Sequence, residues 1–230
     1  MIIILLVLSV LAGVFLGKFF GNREKFAKNL LILSAGFLIT ICLNEVFPEV
    51  YSNEHHNIGI WVIAGVLLQI LLENLTKGFE HGHFHHHHES KSILPMALMI
   101  GMFIHAFLEG IPLANQEQTL SPYLTGILVH NIPISFILGA FLIKQNKFST
   151  SAWIIISVFA FASPLGMVLG KYFNPEWEVY FLALVGGIFL HISSVIIFEG
   201  SKNHNIDWKK IGLVILGILL AMTGHLFHQH

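Results

Sequence analysis

The chain has 230 residues, 55% apolar and 11% charged, with a formal net charge of −1 at neutral pH and a mean hydropathy of +0.75. That composition lies far outside the range of soluble domains and marks an integral membrane protein. The near-neutral charge offers no basic surface for nucleic acid, and the single cysteine, Cys42, excludes an internal disulfide.

A bilayer core of about 30 Å takes roughly 20 helical residues to cross. Eight apolar runs of that order follow one another: 1–21, 29–50, 58–76, 93–114, 121–143, 149–171, 178–199 and 209–227. They use nearly the whole chain, so the expectation is an all-α integral membrane protein, a bundle of eight transmembrane helices forming one domain over 1–230. The first run, "MIIILLVLSVLAGVFLGKFFG", has its basic residues after the apolar stretch, the reverse of a secretory signal, and reads as a retained helix.

Basic residues alternate between the loops. Lys18, Arg23, Lys25 and Lys28 cluster around the first, Lys77 and Lys91 flank the third, Lys144 and Lys147 the fifth, and Lys202, Lys209 and Lys210 the seventh, eleven of the twelve in all. Only Lys171 falls by an even loop. The positive-inside rule then puts the odd loops in the cytoplasm and both termini on the extracytoplasmic side. The economy of the chain, with no soluble domain or transit peptide, fits a bacterial inner membrane.

The second span carries "LNEVFPEVY" in its outer half, with Asn44, Glu45, Pro48 and Glu49; Glu45 is the one expected to reach inward and Glu49 to lie at the interface. The third loop, residues 77–92, holds "GFEHGHFHHHHES" with His81, His83, His85, His86, His87 and His88. A terminal tag does not fit its internal position or the interrupting Gly82 and Phe84. A solvated polar loop is the plain alternative. Imidazole is a common ligand for zinc and its neighbours, so the tract reads as a cytoplasmic metal-capture loop.

Ionisable groups at membrane depth cost about 2.5 to 3.5 kcal/mol on insertion scales and face the bundle interior or a water-filled path. In "HAFLEGIPL" of the fourth span, His105 and Glu109 are spaced i and i+4, on one helix face and within reach of one cation. The fifth span holds "HNIPISF", with His130, Asn131, Pro133 and Ser135; a proline in mid-helix frees a backbone carbonyl close by. At 1.5 Å per residue His105 and His130 lie about 18 and 20 Å from the cytoplasmic side, level with each other and near the midplane. Either histidine alone is most simply a hydrogen-bonded interior residue. Two at one depth beside a carboxylate favour a metal. In the sixth span Ser163 and Pro164 of "FASPLG" point to helix packing. In the seventh, "GGIFLHISSVIIFEG" places His191 deeper than Glu199, equally as a pathway ligand or a structural hydrogen-bonding group. The candidate metal ligands are therefore His105, Glu109 and His130, with Glu45, Asn131 and His191.

Together these residues resemble the ZIP family of divalent-metal transporters over essentially the whole chain. His105, Glu109 and Gly110 match the family's helix-four pattern His-Asn-x-x-Glu/Asp-Gly, and His130 with Pro133 matches His-x-x-Pro on helix five. "NEVFPE" is similar to the His-x-x-Pro-Glu of helix two, with Glu45 at the histidine position, and "ASPLG" to the Glu-Pro-Leu-Gly of helix six. Ala106, Ile134 and Ser163 stand where members with two adjacent metals carry ligands. The resemblance thus implies a divergent member with one metal site, built from His105, Glu109 and His130 with help from Glu45.

The function expected is transport of a divalent transition metal toward the cytoplasm, the metal being substrate rather than cofactor. Zn²⁺ is the first choice, and nitrogen and oxygen donors also suit Fe²⁺, Mn²⁺, Co²⁺ or Cd²⁺. No P-loop is present, so a metal gradient, the membrane potential or a coupled ion must drive it. The partners expected are the lipid bilayer and metal ions, with a homodimer admissible and no nucleic acid. Two other classes compete. An intramembrane metal-dependent hydrolase would use Glu45 as base and a metal-activated water, although HExxH is absent. A haem protein would use His105 and His130 as axial ligands.

Overall fold

A computed structural model describes residues 1–52, 57–76, 96–116, 120–144, 150–198 and 207–228. Every regular element among them is helical: α1 (Ile2–Phe20), α2 (Glu24–Ile41), a π-helical turn (Cys42–Val46), α3 (Phe47–Ser52), α4 (Ile58–Thr76), α5 (Met96–Gly110), a 3₁₀ turn (Ile111–Leu113), α6 (Pro122–Lys144), α7 (Thr150–Gly170), a second 3₁₀ turn (Pro175–Trp177), α8 (Glu178–Phe198) and α9 (Trp208–His228). Within these residues six stretches are long and apolar enough to cross a membrane, Ile2–Phe20, Glu24–Ser52, Ile58–Leu75, Pro122–Leu142, Thr150–Gly170 and Pro175–Phe198; a shorter apolar helix, Met99–Leu113, joins them. The protein is an all-helical membrane protein.

The helices depart from the apolar runs for local reasons. The second run begins at residue 29, but its helix starts at Glu24, where an acidic first turn suits the positive end of the helix dipole. α2, the π turn and α3 follow one another without a break, and the Phe47 N–H donates to the Cys42 carbonyl. That five-residue step inserts one residue ahead of Pro48 and re-aims the Asn44–Glu45 segment. The fourth run ends with α5 tightening into the 3₁₀ turn at Pro112, which has no N–H to continue an α-helix.

Large apolar side chains such as Ile4, Leu67, Leu71, Ile154, Phe161 and Leu219 point outward and exposed, as lipid-facing positions require. Inward faces are built from small residues, because helices in lipid associate through close packing rather than hydrophobic burial. α1 packs on α6, α2 on α9, α4 on α8 and α5 on α7. Each pair is closed by glycines on both partners. A Cβ on Gly110 would run into the Ser163 carbonyl of α7, and one on Gly166 into the Phe107 carbonyl of α5. Between α1 and α6, a Cβ on Gly13 would lie 2.5 Å from the Ile132 oxygen and one on Gly139 2.5 Å from that of Val14. Gly65 with Gly187, and Gly36 with Gly217, do the same for the other two pairs. α1 and α7 also touch, as do α2 and α8, which leaves two sets of four helices, α1, α5, α6, α7 and α2, α4, α8, α9, meeting chiefly along α2–α6 and α4–α5.

Replacing Gly166 with leucine should therefore destabilise the bundle by about 1 to 3 kcal/mol or more. Gly212→Leu should be tolerated, since nothing lies within 4 Å of the position its Cβ would take. Size-exclusion chromatography of detergent-solubilised protein checks this: the first variant should lose its monodisperse peak and the second keep it.

Candidate metal centre

His105 and Glu109 stand one helical turn apart on α5, with the His105 Nε2 2.8 Å from the Glu109 Oε1 and side chains only 2% and 0% exposed. His130 enters from α6, equally buried at 0%. Its ring centre lies 5.9 Å from that of His105, with the planes inclined at 67°. One ligand atom from each of the three residues lies within 4.8 Å of the others. Donors about 2.0 to 2.2 Å from one zinc sit roughly 3.4 Å apart in a tetrahedron, so the three residues are spaced as candidate ligands of one ion.

The hydrogen bonding around the cluster fixes its chemistry. His105 Nδ1 lies 3.2 Å from Gln69 Oε1 on α4, a contact in which the amide oxygen accepts when Nδ1 carries the ring's proton. That tautomer would leave a lone pair on Nε2, 2.8 Å from the Glu109 Oε1. Two acceptors at 2.8 Å repel unless a proton or a metal cation lies between them, and a metal bound by both satisfies them at once. The backbone is held as well. The Tyr123 hydroxyl of α6 donates to the Glu109 carbonyl at 2.9 Å, where α5 gives way to the 3₁₀ turn. Pro133, inside α6, removes the donor that would otherwise satisfy the Val129 carbonyl beside His130. Phe189 of α8 walls the site, its ring 6.3 Å from His130 and 5.9 Å from Tyr123.

The other candidates have partners of their own. Glu45, on the π turn, is not in the three-residue group; it is half-buried with one carboxylate oxygen fully covered, and its charge reaches Glu49, which also feels Glu178. Asn131 Nδ2 is directed at Ser9 Oγ of α1, 3.5 Å away. His191 Nε2 pairs with Glu73 Oε2 of α4 at 2.9 Å, outside the cluster. Ala106 and Ile134 are fully buried among apolar neighbours, and Ser163 is buried where α7 meets Gly110. The loop histidines His81, His83, His85, His86, His87 and His88, and Glu199, lie outside the described residues. Gln69, Glu73 and Tyr123 are contributors the sequence reading does not single out. Gln69 and Glu73 do share the i, i+4 spacing of His105 and Glu109 within "LLQILLEN", which is the signal that marks them as one face of α4.

If His105 and His130 serve one ion, alanine at either should weaken zinc binding at least tenfold, about 1.4 kcal/mol, and the double change should be less than additive. Equilibrium zinc titration of protein lacking residues 81–88 measures this without interference from the loop. Full additivity would mean the two rings hold no common ion.

The model of the ZIP zinc transporter family matches residues 82–227, more than half of the chain, and the match includes α5 to α9 and all three residues of the cluster. No curated protein matches the chain. With that match and an all-helical, lipid-facing bundle around a buried histidine–glutamate group, the chain belongs to the ZIP zinc transporter family, whose members move divalent metal ions across membranes and are not enzymes.

Proposed function

We propose that this protein carries a divalent transition metal, Zn²⁺ first among Fe²⁺, Mn²⁺, Co²⁺ and Cd²⁺, from the extracytoplasmic side into the cytoplasm through the site formed by His105, Glu109 and His130. The observation that carries the reading is the convergence of their ligand atoms within 4.8 Å at full burial. Two neutral imidazoles and one carboxylate offset half of a dication's charge. Such a site replaces part of the hydration shell without holding the ion irreversibly, which is what passage requires. Alternating access around a midplane site is the mechanism proposed.

In this reading α1, the α2–α3 helix and α4 to α9 make eight crossings of a single domain over 1–230, with both termini outside in a bacterial inner membrane, following the alternation of basic loops. Glu45, Glu49 and Glu178 then lie toward the outer mouth, where they attract cations. His191 and Glu73 sit about one turn to the cytoplasmic side of the cluster, on the way out. Asn131 takes part only by turning away from Ser9. Loop 77–92, with its six histidines from His81 to His88, gathers metal on the cytoplasmic side. Ala106, Ile134 and Ser163 supply no second cage, so one ion occupies the membrane interior per chain.

Zinc uptake into proteoliposomes tests the proposal. Glu109→Gln keeps the shape and removes the charge, so uptake at limiting zinc should fall at least tenfold, or about 1.4 kcal/mol, with the amount of folded protein unchanged. Uptake at the wild-type rate and affinity would remove the site. Deleting residues 81–88 should leave uptake in place and shift its apparent affinity only a few-fold; loss of nearly all transport would make the loop part of the path.

A further inference from the structure

α4 carries an amide with no exposure at all: Gln69 is 0% accessible. A buried carboxamide costs free energy unless hydrogen-bonded, and leucine would fill the same volume in a lipid-embedded bundle without that demand. Its bond goes to one atom that matters chemically, the His105 Nδ1, at 3.2 Å. The opposite nitrogen of the same ring, Nε2, faces Glu109 at 2.8 Å. A neutral imidazole carries one proton. If Nδ1 holds it, Nε2 is a metal ligand; if Nε2 holds it, the ring donates to Glu109 and presents no lone pair to the ion.

We infer that Gln69 is a positioning residue for metal: its amide oxygen fixes His105 in the Nδ1–H tautomer and sets the ring's angle, so that Nε2 meets the cation together with Glu109 and His130. The inference rests on the site proposed above and deepens it. An outer group accepting the distal N–H of a ligating histidine orients the ring and raises its basicity, and loss of such a group typically lowers metal affinity 10–100-fold. Here that group is a neutral amide rather than a carboxylate, so it orients the ring while leaving Glu109 the one carboxylate of the three-residue cluster. α4 also brings Glu73, one turn further along, to His191. One face of α4 thus meets the rings of two membrane histidines, His105 of the three-residue cluster and His191.

The test is the KM for zinc uptake by full-length protein in proteoliposomes, with the maximal rate recorded separately. Gln69→Leu removes the acceptor and should raise KM about 10- to 100-fold. Gln69→Asn keeps the amide but withdraws it by one methylene, so it should raise KM in the same direction while preserving a polar group for folding. Gln69→Glu keeps an acceptor oxygen at the same reach and should hold KM within about threefold of wild type. A residue that only supports the fold would instead lower the maximal rate through fewer folded transporters and leave KM alone. The inference is overturned if Gln69→Leu and Gln69→Asn both keep the wild-type KM, or if Gln69→Glu raises KM as much as they do. Glu109→Gln separates the two levels: if it too leaves KM unchanged, the metal site itself is wrong; if it raises KM while the Gln69 variants do not, only the role of Gln69 fails.

Discussion

A carboxylate removed from water inside a helical bundle is stable only beside compensating charge, and the groups that face Glu109 are the imidazoles of His105 and His130. Glu109 has no exposure, and its near neighbour is the His105 Nε2 at 2.8 Å. Electrostatic interactions are strong at such depth because little solvent screens them. The same weak screening that makes an unbalanced Glu109 unfavourable would favour a cation beside it. Gln69 holding the far side of the His105 ring and His130 standing 5.9 Å away belong to that one requirement.

Packing is what brings these groups into register. His105 and Glu109 belong to α5, which is locked on α7 by Gly110 and Gly166; His130 belongs to α6, locked on α1 by Gly13 and Gly139. Gln69 and Phe189 come from the other set of helices, on α4 and α8, themselves joined through Gly65 and Gly187. The cluster therefore lies where the two sets of four meet. Glycine at the contacts lets backbones approach to where a methyl group would collide, and this places short polar reaches, such as Gln69 to His105 at 3.2 Å, across helix boundaries. The register of the cluster depends on small residues that are not part of it.

Much of this is legible in the sequence. Hydropathy marks the membrane helices because lipid demands apolar side chains over a fixed length. The i, i+4 spacing marks His105 and Glu109, and counting rise per residue from opposite ends puts His130 level with them, in agreement with the 5.9 Å ring separation. What stayed hidden depends on angles between helices. Asn131 adjoins His130 in sequence, but successive residues diverge by about 100° around a helix, and its amide turns to Ser9 of α1. His191 finds Glu73 only because α4 lies on α8. The π turn at Cys42–Val46 shifts one hydrogen-bond step and leaves no mark in composition, so the aim of Glu45 could not be read. Gln69 is uncharged and stands as a single polar residue in an apolar stretch; its partner lies 36 positions away.

The central claim is that one ion sits among His105, Glu109 and His130. Anomalous diffraction at the zinc edge, from crystals of the full-length protein grown with Zn²⁺, tests it without relying on rates. The account predicts a single peak inside the membrane-spanning helices of each chain, within about 2.0 to 2.2 Å of the His105 Nε2, a His130 ring nitrogen and a Glu109 oxygen. Two adjacent peaks there, or a lone peak ligated by other side chains, would contradict it.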